Sequence, residues 1–418
     1  MERLDMKVIT NRDEAEVQAA PVPMITSPRG FTAAGLHAGI KRKRKDLGLL
    51  WCQVPAAAAA VYTTNAFQAP PLGVTREGLA ASQGRMQALL VNSGNANACT
   101  GEQGWLDARE MRRVCAVELG ISESLVGVAS TGVIGERLPI GRIVGSLPRL
   151  TASLTQEGDQ DFGAALLTTD TFPKTAEVRL TVSGREVRIA GAAKGSGMIH
   201  PNMATMLAFL TTDAVIEPPV LQRLLKEVTD ESFNMITVDG DSSTNDMVSV
   251  MASGLAAHPT LDETHPDWER FRAAFAEVCR RLAQMIARDG EGATKLVEVT
   301  VRGAETLEGA RQAAKTVVGS SLVKTAVFGA DPNWGRLLCA LGYCGTQVNP
   351  DLVDLWVGDH LLVHRGLAVP GAEEAAKETF LGDKVPFVLD LHQGTAAATA
   401  WGCDLTYDYV RINASYRT

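Results

Sequence analysis

Near the middle of the chain, Lys194-Gly195-Ser196-Gly197-Met198-Ile199-His200-Pro201-Asn202-Met203-Ala204-Thr205-Met206 carries a glycine-rich loop into an Ala-Thr bond. A threonine placed there can act in two ways. As an internal residue it is a β-branched side chain suited to a buried strand, and Ala-Thr also stands at Ala293-Thr294 and Ala398-Thr399. As the first residue of a cut chain it carries a hydroxyl nucleophile beside an α-amine of ordinary pKa about 7.7–8.0, which can take the hydroxyl proton near neutrality. The cut needs only Thr205 Oγ: its attack on the Ala204 carbonyl gives an ester, which water opens. Pro201 restricts the backbone before the bond, while Gly195 and Gly197 admit a bend that a Cβ would resist. The tetrahedral oxygen of such chemistry needs preorganised donors. Ser130-Thr131-Gly132 offers two, the Thr131 hydroxyl and a backbone N–H made approachable by Gly132, although such a triplet also forms ordinary turns.

Competing chemistries fit less well. Asp239-Gly240-Asp241-Ser242-Ser243-Thr244-Asn245-Asp246 begins like a calcium loop, but Thr244 occupies the glycine position and Val250 the bidentate glutamate position. His360 and His364 lack the glutamate of a His-Glu-x-x-His zinc site, and neither a P-loop nor a dinucleotide fingerprint is completed around Gly195. No motif calls for a cofactor or a metal.

These residues need rigid supports. Alternating segments 176–182 and 185–191, turned by Ser183-Gly184, predict a hairpin that delivers the chain to Lys194, and the apolar run 207–210 predicts a buried strand beginning just after Thr205. Further strands are expected at 88–91, 126–129, 296–301, 323–328, 352–357, 387–391 and 406–412. Helical spacing predicts helices at 105–119, 219–232, 267–288, 305–317, 333–342 and 372–381. Strands and helices mix throughout, with no long linker, no internal repeat and no low-complexity tract beyond Ala56–Ala60. The chain of 418 residues, 45% hydrophobic and 21% charged, is that of a globular protein able to bury a large core. A net charge of −8 argues against nucleic-acid binding. The exception is Lys41-Arg42-Lys43-Arg44-Lys45, expected as a solvated turn before a strand at Leu47, able to favour anionic substrates if it faces the site. Seven cysteines at irregular spacing suggest no disulfide framework. With no apolar leader or spanning segment, a cytoplasmic protein is expected.

The run through Thr205 resembles the self-cleaving junction of the ornithine acetyltransferase family, also called glutamate N-acetyltransferase. The resemblance extends through Ser93-Gly94-Asn95-Ala96-Asn97-Ala98-Cys99-Thr100-Gly101, Ser130-Thr131-Gly132-Val133-Ile134-Gly135, Thr168-Thr169-Asp170-Thr171, Asp239 to Asp246, Asp289-Gly290-Glu291-Gly292-Ala293-Thr294-Lys295, Asp331-Pro332-Asn333-Trp334-Gly335-Arg336 and the closing Ile412-Asn413-Ala414-Ser415-Tyr416-Arg417-Thr418. It implies a mixed α/β sandwich of the self-processing N-terminal-nucleophile type, cut into an α chain 1–204 and a β chain 205–418 that stay together, commonly as a dimer of cut protomers. It also implies transfer of acetyl from N2-acetyl-L-ornithine to L-glutamate in arginine biosynthesis. Acetyl-CoA serves as a second donor in bifunctional members. By the same resemblance Thr205 is the nucleophile, Thr131 and Gly132 form the oxyanion hole, and Thr168, Lys194, Thr205, Glu291, Asn413 and Thr418 bind substrate. The chemistry suits these roles: Lys194 can pair with an α-carboxylate and Glu291 with an ornithine ammonium. Two other readings remain open at this point, a hydrolase or aminopeptidase with the same nucleophile and water as acceptor, and an uncut small-ligand-binding protein.

Overall fold

A computed structural model describes residues 18–20, 22–200 and 206–415. Among them, nine strands form one mixed sheet in the order Gln18–Ala19, Lys174–Val182, Arg185–Lys194, Leu207–Thr212, Met247–Ala252, Leu47–Tyr62, Arg85–Asn95 and Val126–Val133, with Phe31–Leu36 paired alongside Leu47–Tyr62. Strands from before and after the 204–205 bond are interleaved, so a cut there would leave both pieces in one sheet. The period-two rule sorts the central strands between two cores. Ala57, Ala59 and Val61 join Ala208, Leu210, Val248 and Val250 on one face, while Ala56, Ala58 and Ala60 join Leu207, Phe209, Met247 and Met251 on the other. Ala56–Ala60 is therefore the middle of a strand covered on both sides, where small side chains let both layers approach.

Helix Trp268–Arg288 carries a stripe of Phe271, Phe275, Val278, Leu282 and Ile286 and packs against strands of both sheets. The second sheet runs Leu367–Ala368, His360–His364, Asp354–Val357, Lys384–Asp390, Leu296–Ala304 and Ala396–Cys403, and helix Leu307–Gly319 covers its last two strands, Leu296–Ala304 and Ala396–Cys403. The result is the expected mixed α/β sandwich. No helix of the described residues is long and apolar enough to cross a membrane.

The hairpin forms as expected. Val182 pairs with Arg185, and Ser183 and Gly184 both take left-handed φ, +47° and +74°, as a two-residue turn with matching twist requires. Its second strand ends at Lys194, whose register partner is Leu207. Two expected strands are helices instead. Residues 323–328 lie in helix Ser321–Phe328, where Val323, Ala326 and Val327 form a buried stripe at helical spacing and Ser320 accepts from the Val323 N–H. Residues 406–412 lie mostly in helix Tyr407–Ser415, started by Thr406, whose hydroxyl accepts from the Asp408 N–H at 3.2 Å.

Candidate active site

Lys194 ends a buried strand with only 8% of its surface exposed, so its ammonium needs partners. It donates to Thr168 Oγ1 at 2.8 Å and to Thr131 Oγ1 at 3.5 Å, with Asp170 Oδ2 at 3.9 Å. Asp170 anchors the group. Its carboxylate accepts from Lys174 Nζ at 2.7 Å, from the Gly195 N–H at 2.6 Å and from the Thr168 N–H at 3.0 Å. Lys174 also reaches Asp289 Oδ2 at 2.5 Å, and Asp289 accepts from the Thr171 N–H and hydroxyl. Burial alone would raise the Asp170 pKa, but Lys194, Lys174 and the hydrogen bonds outweigh it and hold the carboxyl below its ordinary range. Two ammonium groups facing two carboxylates are buried at net zero charge.

The oxyanion candidate lies where two parallel strand ends meet. Gly94 pairs with Gly132, and Asn95 lies opposite Thr131 and Val133. Gly132 has φ +132°, and a Cβ there would lie 2.5 Å from the Asn95 nitrogen, so only glycine fits. The loop after the strand is tied by side-chain amides. Asn245 Nδ2 donates to the carbonyls of Ala96 at 2.6 Å and Ser130 at 2.9 Å, while Ser130 Oγ donates to Asn92 Oδ1 at 2.6 Å. Thr131 Oγ1 accepts from Lys194, which leaves its own proton free to donate.

Glu291 is held from three sides. Its N–H donates to the Ser196 carbonyl at 3.0 Å, and its Oε2 accepts from Asn413 Nδ2 at 2.8 Å. Gly197 lies flat against the carboxylate, where any Cβ would be 2.5 Å from both oxygens. The next glycine, Gly292, gives its carbonyl to Thr406 Oγ1 at 2.7 Å, which docks the loop on helix Tyr407–Ser415. Asp239 receives the N–H groups of Met198 at 2.6 Å and Ile199 at 2.8 Å, and burial raises its pKa. Tyr409 also hydrogen-bonds to Asp239, its hydroxyl pKa raised first by burial and then by the neighbouring carboxylates. His200 Nδ1 lies 3.0 Å from Thr237 Oγ1, and burial pushes the ring down to about 4, so it is neutral at pH 7.

Together these segments enclose a cavity of about 440 Å3. Thr131, Gly132, Thr168, Lys194, Glu291 and Asn413, six of the residues expected from sequence, line it, and so do Met206 and Leu207, which follow the junction. Ala204, Thr205 and Thr418 lie outside the described residues. The cavity thus offers two oxyanion-type donors, the Lys194 ammonium and the carboxylates of Glu291, Asp239, Asp241 and Asp246 beside the start of a buried strand. Sequence reading assigned no role to Asp170, Lys174, Asp289, Asp239 or Asn245. The spacing of Asp170 and Lys174, four residues apart beside Thr168, was the available signal for the first pair. The others work across forty residues or more and leave no local pattern.

A sandwich that opens such a cavity at a glycine-rich junction belongs to the class of enzymes built for acyl transfer on small, amino-acid-like molecules. The ArgJ family model matches residues 32–418. An arginine biosynthesis bifunctional protein from Geobacillus kaustophilus (strain HTA426) is 55% identical over 407 residues, covering 97% of this chain and 99% of the relative. The Bacillus subtilis (strain 168) protein described in the same words is 51% identical over 394 residues, covering 94% of this chain and 96% of its own. A solved chain of the Bacillus halodurans arginine biosynthesis bifunctional protein is 53% identical with a TM-score of 0.50, and 51% of this chain matches 100% of that one. The chain belongs to the ArgJ family.

Proposed function

We propose that the chain cuts itself between Ala204 and Thr205 and then, as a glutamate N-acetyltransferase, moves acetyl from N2-acetyl-L-ornithine to L-glutamate in arginine biosynthesis. The observation that carries this reading is the single cavity joining Thr131, Gly132, Thr168, Lys194, Glu291 and Asn413 next to Met206. The relatives, described as bifunctional proteins of arginine biosynthesis, support the pathway and a second donor, acetyl-CoA. The solved Bacillus halodurans chain has about half this chain's length, as a piece cut near 204–205 would have.

In the first displacement Thr205 Oγ attacks the acetyl carbon while the new α-amine takes its proton. Thr131 and the backbone N–H at Gly132 receive the developing oxyanion. The amide C–N bond breaks, and the α-nitrogen of ornithine leaves with the proton held by the Thr205 amine. Glutamate's amine then attacks the acetyl-threonine ester, the C–O bond breaks and the proton returns to Oγ. Lys194, steadied by Thr168, pairs with the α-carboxylate of each amino acid. Glu291, with Asn413 beside it, receives the ornithine ammonium, and Thr418 is a further substrate-binding residue. The enzyme works in the cytoplasm as a dimer of cut protomers and needs no cofactor.

Intact-mass measurement should give two chains, beginning at Met1 and Thr205, and Thr205→Ala should remain one inactive chain. Incubation with acetylornithine should release ornithine only when glutamate is present. Equal release without glutamate would make the protein a hydrolase, and a continuous chain that is active would remove Thr205 as nucleophile.

A further inference from the structure

Lys41-Arg42-Lys43-Arg44-Lys45 sets five cations in succession in a chain of net charge −8, and the chemistry above uses none of them. The run forms the expected turn, and the turn is preformed. Buried Asp46 accepts the N–H groups of Ala38 at 2.6 Å and Lys41 at 2.8 Å, fixing the backbone from inside. Lys45 pairs with Asp161, and Lys41 donates to the carbonyls of Lys45 at 2.8 Å and Leu167 at 2.6 Å. Arg44 donates to the Thr168 carbonyl at 3.3 Å, on the residue whose hydroxyl accepts from Lys194 at the cavity wall. The stem of Lys41 lies against Gly94, where an added Cβ would meet its Cγ at 2.9 Å, and Gly94 is the register partner of Gly132. The turn therefore backs both the Thr168 wall and the oxyanion strands. Arg42 and Lys43 are exposed, with no hydrogen-bond or ion-pair partner among the described residues.

We propose that this turn is the docking site for the phosphate groups of a coenzyme A thioester, with Arg42 and Lys43 supplying the free charges and Arg44 the link to the cavity. The inference rests on the reading of acetyl-CoA as second donor and adds where its nucleotide end sits. Size and charge select this ligand. A cavity of about 440 Å3 suits an acetylated amino acid, and Lys194 already answers the single α-carboxylate that such a substrate presents. The thioester donor alone carries phosphates, and its nucleotide end is too large to follow the acetyl group inside. Its long flexible arm lets the acetyl group enter while the phosphates stay outside on the turn. Guanidinium and ammonium groups in sequence are the side chains that hold phosphate oxygens by charge-assisted hydrogen bonds.

The test uses the mature enzyme with the double substitution Arg42→Gln and Lys43→Gln, neither residue touching the cavity. Titration calorimetry with free coenzyme A reads docking without catalysis. Steady-state kinetics are run with acetyl-CoA, with S-acetylpantetheine, which lacks the nucleotide, and with acetylornithine, each with glutamate. The Kd for coenzyme A and the KM for acetyl-CoA should rise about tenfold, as two exposed charge pairs would give, and the salt dependence of both should weaken. The constants for S-acetylpantetheine and acetylornithine should not move. Unchanged coenzyme A affinity, an equal rise in KM for all three donors, or a wild-type enzyme that does not bind coenzyme A would overturn the proposal. Failure of acetylornithine transfer in the wild type is a separate result that counts against the proposed function and leaves the titration readable.

Discussion

Replacing Gly197 by alanine asks whether Glu291 acts on substrate through its position. Gly197 is not among the residues of positive φ, so alanine meets no left-handed backbone there. The obstacle is one group: the new Cβ would lie 2.5 Å from both carboxylate oxygens of Glu291. The carboxylate must turn away, and its 2.8 Å hydrogen bond from Asn413 goes with it. A hydrogen bond to a charged group contributes about 1.5–3 kcal/mol, equivalent to roughly 10- to 150-fold in affinity. The KM for acetylornithine should therefore rise within that range. The kcat should stay within about threefold if, as proposed, Glu291 meets the ammonium end of the substrate and not the acetyl group. Folding stability should fall by about 1.5–3 kcal/mol as well, since the Asn413 bond is lost from the folded chain. The decisive comparison is a double-mutant cycle. With Glu291→Ala the space beside residue 197 is empty, so adding Gly197→Ala should change KM no further. Ornithine release is followed at saturating glutamate, after intact mass has shown that each variant is cut. An unchanged KM in Gly197→Ala, or effects of the two substitutions that multiply, would refute the role of Glu291.

Thr131→Val keeps the shape and removes the hydroxyl, so kcat should drop about 10²- to 10³-fold with little change in KM; Thr131→Ser should recover most of it, and equal loss in both would discount the donor role. Asp170→Asn leaves Lys194 without its buried counter-charge and should cost roughly 3–5 kcal/mol in denaturant unfolding. Because the folded-state pKa of Asp170 is depressed, its stabilisation is complete above about pH 5 and is lost as pH falls below the ordinary value of about 3.9. The wild type should therefore lose more stability than Asp170→Asn between about pH 5 and 2, and parallel curves would contradict the assignment. Removing residues 413–418 deletes Thr418 and takes Asn413 from the end of helix Tyr407–Ser415, which has no buried residue, so KM for acetylornithine should rise while the melting temperature stays within about 2 °C. Unchanged kinetics would exclude the terminus from the site.

Sequence periodicity reads elements with one buried face more readily than elements buried on both. The hairpin at Lys174–Val182 and Arg185–Lys194 and the helix Trp268–Arg288 were legible because their apolar residues recur at two and at three to four. Ala56–Ala60 and Met247–Ala252 were not, because they are buried on both faces and show no alternation. Val323–Phe328 misled because β-branched residues at 323 and 327 suggest a strand, whereas burial places them a helical turn apart on one side. Tyr407–Ser415 misled in a different way, since it owes its place to the Thr406 cap and to contacts with Glu291 and Asp239 and has no buried stripe to announce it.

Within the site, residues that line the cavity could be chosen from sequence, while the groups that hold them could not. The carboxylates show why. Asp170 accepts from the Gly195 N–H, and Asp239 accepts from the N–H groups of Met198 and Ile199. They thus grip the same loop at its two ends from opposite directions in the sequence. Their environments differ, since Asp170 faces two ammonium groups that stabilise its charge and Asp239 has only hydrogen-bond donors to offset burial. Between the two grips, Gly197 makes room for Glu291. A loop fixed this way limits the approach of the segment leading to Ala204, and it limits the position of Glu291 as well. Intramolecular attack by a neighbouring hydroxyl depends chiefly on such restriction. Loosening either grip should therefore slow the cut and weaken substrate binding together, whereas Gly197→Ala, which leaves both grips in place, should affect binding while the chain is still cut.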